Sequence, residues 1–147
     1  VGVGGYAKAM PQSWLDRQKV EVAKRVAAAD IVITTALIPG RAAPVLVTED
    51  MVKAMKPGSV IVDLAAPNGG NCPLTEAGKT VIKHGVTLVG ETNLPALVAA
   101  DSSALYARNV LDFLKLVISK EGAFQVPLDD DIVVACLMTQ DGQIKRN

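Results

Sequence analysis

Asp30-Ile31-Val32-Ile33-Thr34-Thr35-Ala36, Ser59-Val60-Ile61-Val62-Asp63-Leu64-Ala65 and Val86-Thr87-Leu88-Val89-Gly90 are three short, β-branched apolar runs, and their reading decides the fold. The first stops at Leu37-Ile38-Pro39-Gly40 and the second at Ala66-Pro67-Asn68-Gly69-Gly70-Asn71-Cys72-Pro73. The third stops at Glu91-Thr92-Asn93-Leu94-Pro95. Strands that are apolar on both faces belong in a parallel sheet covered by helices. Ligands bind such sheets where the carboxyl ends of the strands open into loops. The Gly-, Pro- and Asn-rich ends are therefore the expected site, with Leu37–Gly40, Ala65–Gly70 and Asn93–Pro95 converging at one edge.

Helical patterns separate the strands. Pro11-Gln12-Ser13 reads as a helix start with Ser13 as N-cap and Asp16 three residues on, a capping-box arrangement. Leu15, Val22, Val26 and Ala29 then share one face, and the helix is expected to end near Ala29. Thr48 caps a short second helix whose first turn holds Glu49 and Asp50, at the positive end of the dipole. Lys56-Pro57-Gly58 closes it. The alternation of helix and strand is that of an α/β, doubly wound parallel sheet. Lys79–Lys83, the turn His84-Gly85 and Val86–Gly90 read as a hairpin-like pair.

Beyond the sheet, a long helix is predicted from about Asp101 to Ser119, with Leu105, Val110, Leu114 and Val117 on an apolar face. A face so apolar is expected to pack across a domain or subunit boundary. Ile132–Met138, the turn Gln140-Asp141-Gly142 and Gln143-Ile144-Lys145 read as an antiparallel hairpin belonging to a neighbouring domain. The expected division is residues 1–100, opening on a mobile loop at 1–11, followed by a linking helix and hairpin at 101–147.

Half of the 147 residues are hydrophobic and only 3% are aromatic, so the core must be built from Val, Ile, Leu and Ala. Acidic and basic residues balance at 15 each, which gives no electrostatic footprint for nucleic acid. No apolar run approaches the roughly 18–20 residues that span a bilayer. Cys72 and Cys136, far apart and in different contexts, form no disulfide framework and fit a reducing compartment. The chain opens at Val1 without a starting Met, which reads as a fragment.

Gly2-Val3-Gly4-Gly5-Tyr6-Ala7 has the letters of a dinucleotide fingerprint but not its context. No strand precedes it, Pro11 interrupts a following helix, and no acidic residue closes a second strand about twenty residues on. It reads instead as a Gly-rich loop with one aromatic. His84, the only histidine, reads as a solvated turn residue, and no His/Cys cluster offers a metal site. Cys72 lies at a strand's carboxyl end but has no histidine or second cysteine near it, so it reads as a packed thiol. Cys136, in an apolar run, reads as core. Asp63 has two readings: a group pointing into the crevice, or an acceptor for loop N–H groups.

No catalytic side chain emerges from this inventory. Dehydrogenases acting on alcohols or amines need a group that moves a proton. Hydride transfer between two nicotinamides needs only proximity, orientation and exclusion of water.

Gly4-Gly5-Tyr6-Ala7-Lys8-Ala9-Met10, Thr34-Thr35-Ala36-Leu37-Ile38-Pro39-Gly40-Arg41-Ala42-Ala43-Pro44, Met55–Ala65 and Gly69-Gly70-Asn71-Cys72 together resemble the NAD(H)-binding component (domain I, the alpha subunit) of proton-translocating nicotinamide nucleotide transhydrogenase. The resemblance runs to the Asp141-Gly142 turn. Alanine dehydrogenase shares the Leu-Ile-Pro-Gly and Lys-Pro-Gly-Ser-Val-Ile-Val-Asp patterns. That family has a catalytic aspartate where Pro67 stands and lacks the tyrosine-bearing loop.

The resemblance implies the second half of a Rossmann-like NAD-binding domain, and a protein that passes hydride from NAD(H) to NADP(H). The NADP(H) would sit on a partner domain, coupled to a proton-conducting transmembrane domain. It further implies a homodimer, peripheral to the inner membrane on its cytoplasmic or mitochondrial-matrix face, with no membrane insertion by this segment. Thr35, Ala36 and Leu37 would line the nucleotide through backbone and apolar contacts, with Asp63 and Ala65 at the neighbouring strand end. Asn93 and Leu94 would lie near the nicotinamide carboxamide, and Tyr6 would close over the nucleotide. The alternatives are an inactive fragment or simple nucleotide-binding module, or an amino-acid oxidoreductase of the alanine dehydrogenase kind.

Overall fold

The computed structural model describes residues 10–145, and these divide after Leu94 into two compact units. In the first unit, helix α1 (Gln12–Ala28) leads into strand β1 (Ile31–Thr34). Helix α2 (Glu49–Lys53), strand β2 (Val60–Asp63), a 3-10 turn at Ala66–Asn68, and strands β3 (Thr80–Lys83) and β4 (Val86–Val89) follow. The sheet order is β1-β2-β4-β3. β1, β2 and β4 are parallel neighbours, and β3 is antiparallel to β4 through the turn at His84 (φ +52°) and Gly85 (φ +78°). The three runs read from the sequence are thus adjacent parallel strands in a mixed α/β fold.

Alternation along each strand sends one set of side chains to the core. Ile61, Val86 and Leu88 are fully buried with Val52 and Cys72, joined by Val26, Val47 and Met55, and flanked by Val32 and Val81. The helices covering this face, α1 and α2, pack against each other. The opposite face is open within this chain. Ile31 and Ile33 are 65% and 63% exposed, and Ile82 is 71% exposed. α1 and α2 both contribute to the first face, Val26 and Val52 entering its core.

The first helix starts earlier than its sequence suggests. Pro11 occupies the N-cap, without a side-chain cap bond, and Ser13 lies inside the helix. Pro11's fixed φ suits entry into a helix, and Gln12 donates to Asp16 where a capping box was expected. Thr48 caps α2 as expected, its hydroxyl accepting from the Met51 N–H at 3.4 Å.

The second unit holds helices α3 (Leu94–Leu97, starting on the last residue of the first unit), α4 (Ala99–Val117) and α5 (Asp131–Cys136). A small antiparallel pair, β5 (Thr139–Gln140) and β6 (Gln143–Ile144), follows. Two expectations are corrected. The turn at Asp141-Gly142 is present, but Ile132–Met138 is not its first arm, because α5 takes most of that stretch. Asp130 accounts for the difference: its carboxylate accepts from the N–H groups of Ile132 and Val133 and nucleates a helix that overrides the β-branched composition. Cys136, expected in the core, ends that helix exposed. On α4 only Val117 is buried; Leu105, Tyr106 and Leu111 are exposed. No helix among the described residues is long and apolar enough to cross a membrane.

Candidate functional site

Because β1, β2 and β4 run parallel, with Thr34 opposite Asp63 and Val62 opposite Val89, their carboxyl ends form one edge. The loops that begin at Thr35, Leu64 and Gly90 all leave from it.

Asp63 organises this edge. It is fully buried, and its carboxylate accepts five hydrogen bonds. Oδ1 takes the Ala65 N–H at 3.0 Å and the Thr34 hydroxyl at 3.2 Å. Oδ2 takes the Thr75 hydroxyl at 2.7 Å and the N–H groups of Asn71 at 2.8 Å and Cys72 at 3.1 Å. No lysine or arginine among the described residues pairs with it, so neutral dipoles alone meet the buried charge. Of its two readings, the geometry supports the acceptor for loop N–H groups.

The chain curls tightly to deliver those donors. Ala65 accepts from Asn68 and Gly70, while Gly69 and Gly70 adopt φ of +94° and +80°. A Cβ on Gly70 would stand 2.8 Å from Asp63 Oδ2, so both backbone and packing demand glycine there.

Asn71 joins this loop to the one after β1. Its Oδ1 accepts the Ala36 N–H at 3.1 Å, and its Nδ2 donates to the carbonyls of Ala36 and Pro44, each at 2.8 Å. Its own carbonyl accepts from Leu46 and Val47, and Ala43 donates to Asn68. The asparagine is completely buried with every amide atom bonded. Sequence reading did not single it out. A polar side chain directly after two glycines, in the loop that follows a buried strand, was the available signal.

At the end of β4, Gly90 is buried and exchanges backbone bonds with Gly78 and Lys79. A Cβ there would collide with the Glu76 carbonyl. The Glu91 carboxylate accepts the Asn93 N–H at 2.9 Å, which turns the chain sharply after the strand.

The expected site residues fall into distinct positions. Thr35 and Leu37 are exposed at the edge, Ala36 is half-buried, and Asn93 is exposed beside a half-buried Leu94. Asp63 and Ala65 lie beneath this surface as supports. Tyr6 and its loop lie outside the described residues. Burial pushes the Cys72 thiol up, the direction of an unreactive packed cysteine. His84 is an exposed turn residue, as read, with Nε2 3.1 Å from Glu49 Oε1. Among the described residues, no group of His, Cys, Asp and Glu is placed to hold a metal ion.

An edge of this composition offers backbone dipoles and apolar surface to a ligand, and no group among the described residues there is poised to move a proton. Comparison with known proteins agrees with the architecture. The alanine dehydrogenase/PNT C-terminal domain profile matches residues 6–147. A component of the NAD(P) transhydrogenase alpha subunit of Rhodospirillum rubrum is 54% identical over 142 residues, 96% of this chain and 37% of that protein. The alanine dehydrogenase of Bacillus subtilis is 41% identical over 130 residues, 85% of this chain and 34% of that protein. The crystal structure of a transhydrogenase from Sinorhizobium meliloti superposes with a TM-score of 0.75 at 43% identity, over 92% of this chain and 38% of that one. The chain thus spans a little over a third of the length of these relatives.

Proposed function

The chain belongs to the alanine dehydrogenase/PNT C-terminal domain family, and from that premise we propose that it is the NAD(H)-side portion of a transhydrogenase alpha subunit. The observation that carries the reading is the 54% identity over nearly the whole chain to a transhydrogenase subunit, set against more distant alanine dehydrogenases. The carboxyl edge fits the chemistry. Hydride passes from C4 of NADH to C4 of NADP⁺, giving NAD⁺ and NADPH, so one C–H bond breaks as another forms and no protein proton is consumed. The protein's task is to hold two rings in reach of each other and away from water.

In this reading Thr35 and Leu37 flank the nucleotide, Asn93 and Leu94 lie beside its nicotinamide, and Asp63 and Ala65 hold the loops in place. Tyr6 joins the site through the family resemblance alone. NADP(H) is carried by a partner domain, and a proton-conducting membrane domain completes a complex with paired alpha subunits on the cytoplasmic or matrix face of the membrane. Residues 1–100 complete the nucleotide-binding domain, and 101–147 lead to its neighbour.

The test uses the full-length subunit reconstituted with its partners. Deuterium at the transferable C4 position of NADH should appear in NADPH without washing out into solvent. NADH oxidation that requires pyruvate and ammonium, with the deuterium recovered at C2 of alanine, would establish the amino-acid oxidoreductase reading instead, and label lost to water would exclude direct transfer between the nicotinamides. Asn93→Ala should weaken NADH binding, and unchanged affinity would remove that residue from the site.

A further inference from the structure

We propose that Asn71 is a positioning residue that takes the Ala36 peptide groups out of nucleotide recognition, leaving the backbone of Thr35 and Leu37 as the part of the β1 loop that binds. The inference rests on the nucleotide site proposed above and divides the labour within it. Ala36 gives its N–H to Asn71 Oδ1, and its carbonyl accepts from Asn71 Nδ2, so both of its main-chain polar groups are spent inside the protein. A side-chain amide engaging both peptide groups of one residue fixes that residue in position and orientation. Asn71 is itself fixed, by its N–H on Asp63 and by its second Nδ2 bond to Pro44. The neighbouring residues are in the opposite condition. Thr35 and Leu37 are exposed, and among the described residues their N–H and carbonyl groups make no hydrogen bond.

The arrangement has a physical rationale. Free backbone groups in a loose loop pay ordering entropy when they bind, whereas groups on either side of a clamped peptide are already placed. Asn71 thus acts on the nucleotide through Ala36, without touching it. The chain Asp63–Asn71–Ala36 carries the rigidity of β2 across to the end of β1.

The experiment follows amide hydrogen exchange and chemical shifts in the full-length subunit, with and without saturating NADH. The Ala36 amide should exchange slowly in both states. Thr35 and Leu37 amides should exchange fast in the free protein, and at least one should become protected on binding. If Ala36 instead exchanges freely without NADH and gains protection with it, the clamp does not exist and the inference is overturned. If NADH binds but protects neither Thr35 nor Leu37, the nucleotide lies elsewhere, and the site reading falls together with the inference.

A second measurement separates positioning from mere folding. Asn71→Asp keeps the acceptor for Ala36 but loses both donated bonds, and Asn71→Ala loses all three. In the reconstituted complex both should raise KM for NADH about tenfold, the scale of a lost preorganised contact, with KM for NADP⁺ unchanged and kcat within a few-fold. Variants that are destabilised yet bind NADH normally would show a purely structural asparagine. A variant that does not fold leaves the exchange experiment on the unaltered protein to decide.

Discussion

The two edges of the same sheet handle charge in opposite ways. At the carboxyl edge, Asp63 is wholly buried among five neutral donors and has no cation among the described residues. At the amino edge, acids meet lysines in water. Asp30, just before β1, faces Lys56 at 3.2 Å with the side chains 82% and 62% exposed. His84, just before β4, shares Glu49 of α2 with Lys53, which stands 3.0 Å from it. Exposed pairs are screened and contribute little, because water competes for both partners. A buried carboxylate fixes every donor around it, since any donor it loses has nowhere else to turn. The geometry of the candidate site therefore depends on hydrogen bonding, while the opposite edge is held loosely by its ion pairs.

The sharpest way to break this contrast is Asp63→Ala, which orphans the donors of Thr34, Ala65, Asn71, Cys72 and Thr75 together. It should destabilise the domain by about 4 kcal/mol in urea unfolding, toward the upper end for single substitutions. A loss under about 1 kcal/mol would mean that the loop reorganises freely and that the carboxylate is no anchor. Gly70→Ala comes next. It sets a methyl against Asp63 Oδ2 at φ +80° and should cost about 2 kcal/mol, strain and displacement combined. An unchanged midpoint would show that the turn yields. Thr75→Val removes one 2.7 Å bond to the same oxygen and should cost about 1 kcal/mol.

The smallest effect belongs to the amino edge, and it sharpens the comparison through pH. Hydrogen bonds from Lys53 and then His84 hold the Glu49 carboxyl below its ordinary 4.5. A depressed carboxyl stabilises the fold above its unfolded-state value and loses that contribution as pH falls through the lowered one. Glu49→Gln should therefore leave stability near neutrality almost unaltered and slightly flatten its decline below pH 4.5. A neutral-pH loss as large as that of Asp63→Ala would show that burial is not what separates the two edges.

The architecture of the first unit was legible because its causes are local. The runs ending at Thr34, Asp63 and Val89 are β-branched and short, the Thr48 cap and the His84-Gly85 turn carry their own signals, and together they imply parallel strands with loops at one edge. The errors occurred where a local signal met a competing one. Ile132–Cys136 looked like a strand until the Asp130 carboxylate supplied helix-starting acceptors, and Ser13 gave way to Pro11 as the helix boundary.

By itself, the sequence determined the strand set, their common edge and the residues available there, since alternation and turn chemistry are properties of neighbours along the chain. The roles within that edge were decided by tertiary structure. Asp63 became an anchor because Gly69 and Gly70 bend residues 71, 72 and 75 back onto it. Asn71 became the link to Ala36 across 35 positions of sequence. Hydrogen bonds between distant segments leave no periodicity to read: the partners meet only after the strands have paired, and burial then makes each bond costly to lose.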